Sequence, residues 1–204
     1  MRVLSSMQKF VPLFFCLAVW GCKPAPKIVS YEVNSEATSR AQPPLPTKEN
    51  AKMQANAAME AEAASFGQPK WPETPAGWVV GAPNAMRKGS WIIHGEGEAK
   101  AEMAVTVFPG DVGGIAANVN RWRGQLGLPP ADEASILASA QSVQVGTVQA
   151  KSFRLESADG KRYTVAVIAP SASASWFFKL SGDSQVVKAQ TDTFLKFLTH
   201  SQLP

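Results

Sequence analysis

Cysteine and histidine are scarce in this chain, which limits the chemistry open to it. The two cysteines, Cys16 and Cys22, both lie near the amino terminus, and the two histidines are His94 and His200. Because no cysteine follows Cys22, the rest of the chain has no disulfide, no cysteine-based zinc site and no CxxCH haem attachment. We therefore expect no cofactor and no metal centre.

An excess of charge of one sign is also missing. The formal net charge of +4 includes Arg2 and Lys9, which belong to the amino-terminal segment discussed below. Residues 71–204 contain 12 Lys and Arg against 11 Asp and Glu, a difference of +1. Because a protein that neutralises many phosphates needs a one-sided basic excess, we expect no nucleic acid partner.

Several sequence motifs of known chemistry do not occur. There is no GxSxG nucleophile motif, and the glycines between Gly110 and Gly114 are not followed by the GK[ST] of a phosphate-binding loop. His94 stands close to Glu96 and Glu98, which together are either weak metal ligands or a solvated loop, and we favour the loop. The sequence therefore predicts no catalytic residue of a familiar kind.

The first 22 residues have the pattern of an export signal. Arg2 and Lys9 precede the apolar run Phe10–Trp20, which is too short to cross a hydrocarbon core of about 30 Å. Gly21-Cys22 then resembles a bacterial lipobox, which implies a signal peptide over residues 1–21 and lipid on Cys22. The alternatives are an ordinary signal peptide with a chance cysteine, or a retained membrane anchor. Lys23, rather than Asp, follows the cysteine, which by resemblance to lipoprotein sorting signals favours the outer membrane, at its periplasmic face.

Residues 22–70 are typical of a flexible tether that starts at the lipidated cysteine. Prolines recur, charges of both signs are scattered, and large apolar side chains are few. Within this range, residues 50–65 are rich in Ala, Met, Glu and Gln but have no clear apolar stripe. We leave two structures open for them, a helical turn or two or disordered coil.

Residues 71–204 are predicted to form one globular α+β domain. Strands are expected at 78–81, 86–94, 101–108, 143–155 with an interruption near Gly146, 163–169 and 176–181, and helices at 115–126, 132–140 and 184–200. Asp159-Gly160 suits a two-residue type I′ hairpin that would place Glu156 opposite Tyr163. We predict a mainly antiparallel sheet covered by helices on both faces, an α/β/α sandwich.

The stretch from Phe108 to Leu128 contains the densest set of polar side chains in this domain. An apolar stripe at offsets of 0, 4, 7 and 11 predicts a helix, with Asp111 at its start and Gly127 as a left-handed cap. The polar positions beside the stripe are Asn118, Arg121 and Gln125 on one flank and Asn120 and Arg123 on the other. Two interpretations stay open for them: hydrogen bonds to loop backbone and pairs with surface carboxylates, or a patch that binds a ligand or partner.

Three segments also suggest a family. The run GGIAANVNRWRGQLGL, the later WFFKLSG and the closing amphipathic helix resemble a group of uncharacterised bacterial lipoproteins. The order of strands and helices is similar to that of the PsbP-like α/β/α sandwich. PsbP-like proteins are mostly accessory or assembly factors of larger complexes, so this resemblance implies a binding role.

Two functions follow as hypotheses. The first is a membrane-anchored, periplasm-facing lipoprotein that acts as a non-catalytic binding or accessory module, with the lipid bilayer and a membrane protein complex as partners. The second is a hydrolase or isomerase with an unusual site on the central helix, built from Asn118, Asn120, Arg121 and Arg123. That enzyme would need a carboxylate such as Asp111 as its base. We favour the first.

Overall fold

A computed structural model describes residues 48–82 and 86–204, with side chains from residue 57 onwards. The proposed signal peptide, Cys22 and the first part of the predicted tether lie outside these residues. The first described element is helix α1, Lys48–Ser65. It occupies the segment for which the sequence left helix and coil open, and Ala63 in its last turn is fully buried in the core.

Seven strands form one antiparallel sheet in the order β1-β2-β3-β7-β6-β5-β4. The strands are β1 Trp78–Val80, β2 Arg87–His94, β3 Lys100–Pro109, β4 Gln141–Val145, β5 Val148–Glu156, β6 Arg162–Pro170 and β7 Ala174–Asp183. Every described pairing is antiparallel. The predicted α+β class and antiparallel sheet are confirmed.

The hairpin between β5 and β6 has the predicted register but a different turn. Glu156 pairs with Tyr163 as expected. The turn closes one residue early, because the Gly160 N–H donates to the Ser157 carbonyl at 2.9 Å. Asp159 therefore sits inside this turn and accepts the Ser157 hydroxyl at 2.7 Å. That bond and the Lys161 N–H, in this order, hold the pKa of Asp159 below its ordinary value.

The predicted strand over residues 143–155 is interrupted near Gly146 as expected, but the chain reverses there, so two antiparallel strands take the place of one. Val145 pairs with Val148, so β4 and β5 form a hairpin whose two-residue turn is Gly146-Thr147. Gly146 has φ of +56°, and primed two-residue turns need positive φ at this position. The alternating pattern predicts one interrupted strand, whereas Gly146 lies in a turn that joins two antiparallel strands.

Three further helices connect or follow these strands: α2 Gly114–Gln125, α3 Glu133–Ala138 and α4 Ser184–His200. The Asp132 carboxylate caps α3 by accepting the Ser135 N–H at 2.8 Å, and this bond lowers the pKa of Asp132. Among residues 48–82 and 86–204, no helix has both the length and the apolar character needed to cross a membrane.

Buried side chains form two separate clusters. One joins Val187, Phe194 and Leu198 of α4 to strand residues such as Val167 and Phe178. The other joins Val119 and Trp122 of α2 and Ile136 of α3 to Phe153, Leu155, Ala166, Ile168 and Phe177. Successive strand residues face opposite sides of a sheet, so Ala166 and Val167 belong to different clusters.

Four tryptophans of the described residues are buried: Trp78, Trp91, Trp122 and Trp176. Trp71 is partly exposed. Trp78 follows a proline-rich stretch that predicts partial exposure, but it is only 6% exposed. Its ring packs on Phe197 of α4 at 5.5 Å between centroids, and its indole N–H donates to Gln190 at 3.0 Å.

Candidate functional site

Helix α2 is flanked by two glycines with positive φ, Gly113 before it and Gly127 after it. Its N-cap is Gly113, with φ of +76° and no side-chain cap hydrogen bond. The capping role expected for Asp111 is therefore wrong; Asp111 lies two residues before the N-cap, and only its backbone carbonyl accepts, from Gly113 at 2.9 Å. At the other end Gly127 has φ of +69°, and the Leu128 N–H donates to the Arg123 carbonyl at 2.9 Å. This confirms the predicted left-handed cap.

The apolar stripe fixes which way α2 faces. Val119 and Trp122 are buried against strands β5, β6 and β7, with Ile115 and Leu126 packed at the edges. The Trp122 ring meets Phe177 edge-to-face with 6.1 Å between centroids. With the stripe on the sheet, the polar residues of the helix are divided between its two flanks.

Asn118 makes the backbone hydrogen bonds that the structural interpretation expects. It is buried, and its amide donates to the carbonyls of Val112 and Gly114, both at 2.7 Å. Its side-chain oxygen accepts from Arg121 at 2.7 Å. Asn118 thus stabilises the turn at Gly113 and Gly114 where α2 begins, and it orients the exposed Arg121 guanidinium.

Asn120 and Arg123 lie on the other flank and hold the link from α2 to α3. Asn120 exchanges two hydrogen bonds with the backbone of Ala131, at 2.8 and 2.9 Å. Arg123 donates to the Pro129 carbonyl at 2.9 Å. In the described part of the chain neither Arg121 nor Arg123 has the carboxylate partner we expected. The structure does not bring Asn120 and Arg123 together with Arg121.

Gln125 joins the flank of Asn118 and Arg121 to the sheet. Its side-chain oxygen accepts from the Lys179 ammonium at 3.2 Å. Lys179 lies in the middle of β7 and pairs with Ala104 of β3, which in turn pairs with Ser90 of β2. A small residue therefore separates Lys179 from Ser90 along one row across three strands.

A polar network continues the row onto β2 and β3. Arg87 forms an ion pair with Glu102 and donates to the Ser90 hydroxyl at 3.3 Å. We call this surface the basic shelf; it consists of Arg87, Ser90, Glu102 and Lys179 from the sheet and Asn118, Arg121 and Gln125 from α2. The shelf lies beside the helix, where β2 and β3 contribute no fully buried side chain to the α2 core cluster.

Lys179 is the electrostatically unusual residue of the basic shelf. Its pKa is lowered, chiefly because burial removes water from the ammonium group. Glu102 raises this pKa, and Arg121 and Arg87 lower it further. Two cations and one carboxylate act on the Lys179 ammonium, so three cations in all share one carboxylate. An anionic group placed there would relieve the repulsion.

Sequence reasoning found three residues of the basic shelf and missed four. Asn118, Arg121 and Gln125 came from the helical pattern of α2. Lys179 was detectable as the single charge in the apolar strand WFFKLSG, a position that usually takes an apolar side chain. Arg87, Ser90 and Glu102 carry no such signal, because strand register alone brings them beside α2.

Two other candidate groups lie apart from the basic shelf. No hydrogen bond joins the Asp111 carboxylate to Asn118, Asn120, Arg121 or Arg123 in residues 86–204, and Asp111 lines a cavity that none of them lines. His94 is exposed at the end of β2. Across the described ranges, no three His, Cys, Asp or Glu side chains are grouped for a metal ion.

Comparisons with known proteins add only distant likenesses. No protein-family model matches the chain, and no curated protein matches its sequence. One similar solved structure is LpqN, involved in cell envelope biogenesis of Mycobacterium tuberculosis, with a TM-score of 0.40 and 16% identity over 68% of this chain and 86% of that chain. Another, from Bacteroides thetaiotaomicron, has a TM-score of 0.37 and 10% identity over 68% of this chain and 49% of that chain.

Proposed function

We propose that this protein is a lipid-anchored, periplasm-facing binding module that captures an anionic group of an envelope partner on the basic shelf. The lipobox-like Gly21-Cys22 and the proline-containing segment after it support attachment to the outer membrane through Cys22. The shelf supports binding rather than catalysis, since its groups are donors and cations without a nucleophile and base pair. We also propose that the helices cover both sheet faces, with α2 and α3 opposite α4.

The observation that carries this proposal is the grouping of Arg121, Arg87 and one carboxylate, Glu102, around the partly buried Lys179 ammonium. Arg87 forms an ion pair with Glu102, and Lys179 donates to Gln125 of α2 at 3.2 Å. Partial burial of an ammonium beside two guanidinium groups opposes folding, because each cation disfavours the charged form of the next. Such costly groupings are concentrated at functional sites. The partly exposed ion pair of Arg87 with Glu102 offsets little of this cost, since ion pairs near the surface contribute at most about 1 kcal/mol.

The geometry favours a carboxylate or phosphate as the group bound. Arg121 is exposed and held by Asn118 at 2.7 Å, so its planar fork is already oriented. Planar guanidinium groups bind carboxylate and phosphate oxygens in pairs. Lys179 supplies a point charge beside it, and its Gln125 contact at 3.2 Å can be exchanged for a ligand oxygen.

Anion capture can be measured by fluorescence anisotropy with a labelled hexaglutamate peptide and the full-length protein in lipid nanodiscs. We expect Arg121→Ala and Lys179→Met each to weaken binding by about tenfold, the loss of one charge-assisted hydrogen bond. Arg123→Ala is the matched control, because it removes the same charge from the opposite flank of α2. Equal weakening by all three variants, or no binding by wild type, contradicts the proposal.

Partner capture can be measured in cells with a photo-cross-linking residue in place of Gln125. We expect a discrete cross-linked envelope partner that is reduced strongly by Arg121→Ala and unchanged by Arg123→Ala. A cross-linking pattern that is the same in both backgrounds would argue against the basic shelf as the binding surface.

A further inference from the structure

A cavity lies at the beginning of α2, apart from the basic shelf. None of the shelf residues lines it. Its volume is about 480 Å³, and it is bounded by the segment from Gly110 to Ile115, by β4, β5 and β6, and by the turn that leads into β7. This volume falls in the range of about 300–1,000 Å³ typical of small-ligand pockets. Nothing in the proposed anion-binding function uses it.

One wall of the cavity is fixed by backbone hydrogen bonds. The Gly110 N–H donates to the Ser173 carbonyl, and the Ser175 hydroxyl donates to the Gly110 carbonyl, both at 2.8 Å. Ser175 is buried, and Gly110 has φ of +63°, which glycine adopts without strain. These two hydrogen bonds hold the β6–β7 turn against Gly110, the residue that follows β3. The cavity is therefore formed in advance of binding.

The lining is apolar inside and charged at two opposite walls. Ile168, Pro170 and Ile115 provide apolar surface. Asp111 lies on the segment that leaves β3, and Lys151 lies on β5, paired with Ile168. Strands β7 and β6 lie between β3 and β5, so the backbones of β3 and β5 are three spacings of about 4.8 Å, roughly 14 Å, apart.

We propose that this cavity binds a short apolar peptide with both termini free. The ammonium terminus would meet the Asp111 carboxylate, and the carboxylate terminus would meet the Lys151 ammonium. An extended chain advances about 3.3–3.6 Å per residue, so a peptide of three to four residues covers about 10–14 Å of this distance. Its side chains would lie on the apolar floor formed by Ile168 and Pro170.

The opposite charges of Asp111 and Lys151 favour this ligand over other apolar molecules. A fatty acid would use Lys151 alone and would be repelled by Asp111, whereas a cationic amphiphile would use Asp111 alone. Only a ligand with an ammonium at one end and a carboxylate at the other gains from both walls. Both residues are exposed, so each contact is expected to be worth a few-fold in affinity rather than orders of magnitude.

The test is titration calorimetry of the full-length protein in nanodiscs with trivaline, N-acetyl-trivaline and trivaline amide. For wild type we expect each blocked peptide to bind about fivefold more weakly than trivaline, as for the loss of one exposed ion pair. Asp111→Asn should remove the effect of acetylation but keep that of amidation. Lys151→Gln should do the reverse. Asp192→Asn and Arg154→Gln, which change the same charges on exposed positions elsewhere, should behave as wild type.

Three results would overturn the proposal. One is absence of trivaline binding by wild type. Another is equal affinity for free and blocked peptides, or effects of acetylation and amidation that persist in Asp111→Asn and Lys151→Gln. The third is decanoate that binds more tightly than trivaline and gains affinity in Asp111→Asn, which would identify an anionic amphiphile as the better ligand.

Discussion

At the scale of single residues, Gly146 combines a left-handed backbone with a close backbone neighbour, so a side chain there is opposed by both. Its φ is +56°, and a Cβ there would lie 2.2 Å from the Ser201 carbonyl oxygen. We expect Gly146→Ala to lower the free energy of unfolding by about 2–3 kcal/mol, from left-handed strain together with displacement of the Ser201 backbone. Thermal unfolding should show a melting temperature lower by about 5–10 °C.

Gly97→Ala is the control that separates the two causes. Gly97 also has positive φ, at +62°, but nothing lies within 4 Å of a Cβ built there. This variant should therefore show only the strain of the left-handed backbone, about 1 kcal/mol. If both variants lost the same stability, the packing of Ser201 against the β4–β5 turn would not matter.

Asn118 and Arg121 are hydrogen-bonded to each other but should respond differently to truncation. Asn118→Ala leaves the carbonyls of Val112 and Gly114 without their donor, which should cost about 1–3 kcal/mol and lower the melting temperature by several degrees. Arg121→Ala removes an exposed side chain and should change the free energy of unfolding by less than about 0.5 kcal/mol. Calorimetric melting of both variants checks this, and a large loss in Arg121→Ala would assign that residue a structural role.

These residues also show what a sequence pattern can and cannot assign. The helical wheel placed Asn118, Arg121 and Gln125 on one flank, and their hydrogen bonds agree with that placement. It did not reveal that Asn120 is fully occupied by the Ala131 backbone, because the path of a loop is not encoded in helical periodicity. Whether Arg121 binds a partner stays a prediction.

At the scale of elements, local patterns predicted most strands and helices well but misplaced the turns. The strand over residues 101–108 and the amphipathic helix α2 agree with the structure within one or two residues. The two-residue hairpin lies at Gly146 rather than at Asp159-Gly160. Each of these turns contains a glycine with positive φ, so the choice between them depends on tertiary contacts such as that of Gly146 with Ser201.

Lys179, which connects β7 to Gln125 of α2, predicts a pH dependence for anion binding. The folded-state pKa of Lys179 lies below its ordinary value of 10.5, so the ammonium loses its proton at a lower pH than a solvated lysine. Binding of hexaglutamate should therefore weaken as the pH rises towards 10.5, while the peptide carboxylates and the arginines stay charged. Anisotropy titrations between pH 7 and 11 measure this loss.

Lys179→Arg is the control for that titration, since an arginine keeps its charge over the whole range. We expect its affinity to be nearly constant with pH. The same shift affects stability: charged Lys179 is disfavoured in the folded state, so its penalty is fully present below the folded pKa and disappears as the pH rises to the unfolded value. A wild-type binding curve that stays flat up to pH 10.5 would contradict a role for Lys179.

At the scale of the whole molecule, the fold was more predictable than the site. Alternating apolar strands and amphipathic helices define an antiparallel α+β domain from local signals alone. The basic shelf depends on the strand order β2-β3-β7, which places Arg87 of one strand near Lys179, distant in sequence. No local pattern specifies that order, so three of the seven shelf residues, Arg87, Ser90 and Glu102, were not predictable.

Attachment to the membrane is the remaining whole-molecule prediction, and it concerns Cys22, outside the described residues. We expect wild type to sediment with membranes and Cys22→Ser to be released or to remain as uncut precursor. Each buried methylene of an attached lipid contributes about 0.8 kcal/mol, and stable anchoring takes more than one acyl chain. Fractionation and intact-mass measurement of wild type provide the test, and an unmodified Cys22 would rule out lipid anchoring. The released variant should still bind hexaglutamate, because every shelf residue lies between Arg87 and Lys179, far from Cys22 in sequence.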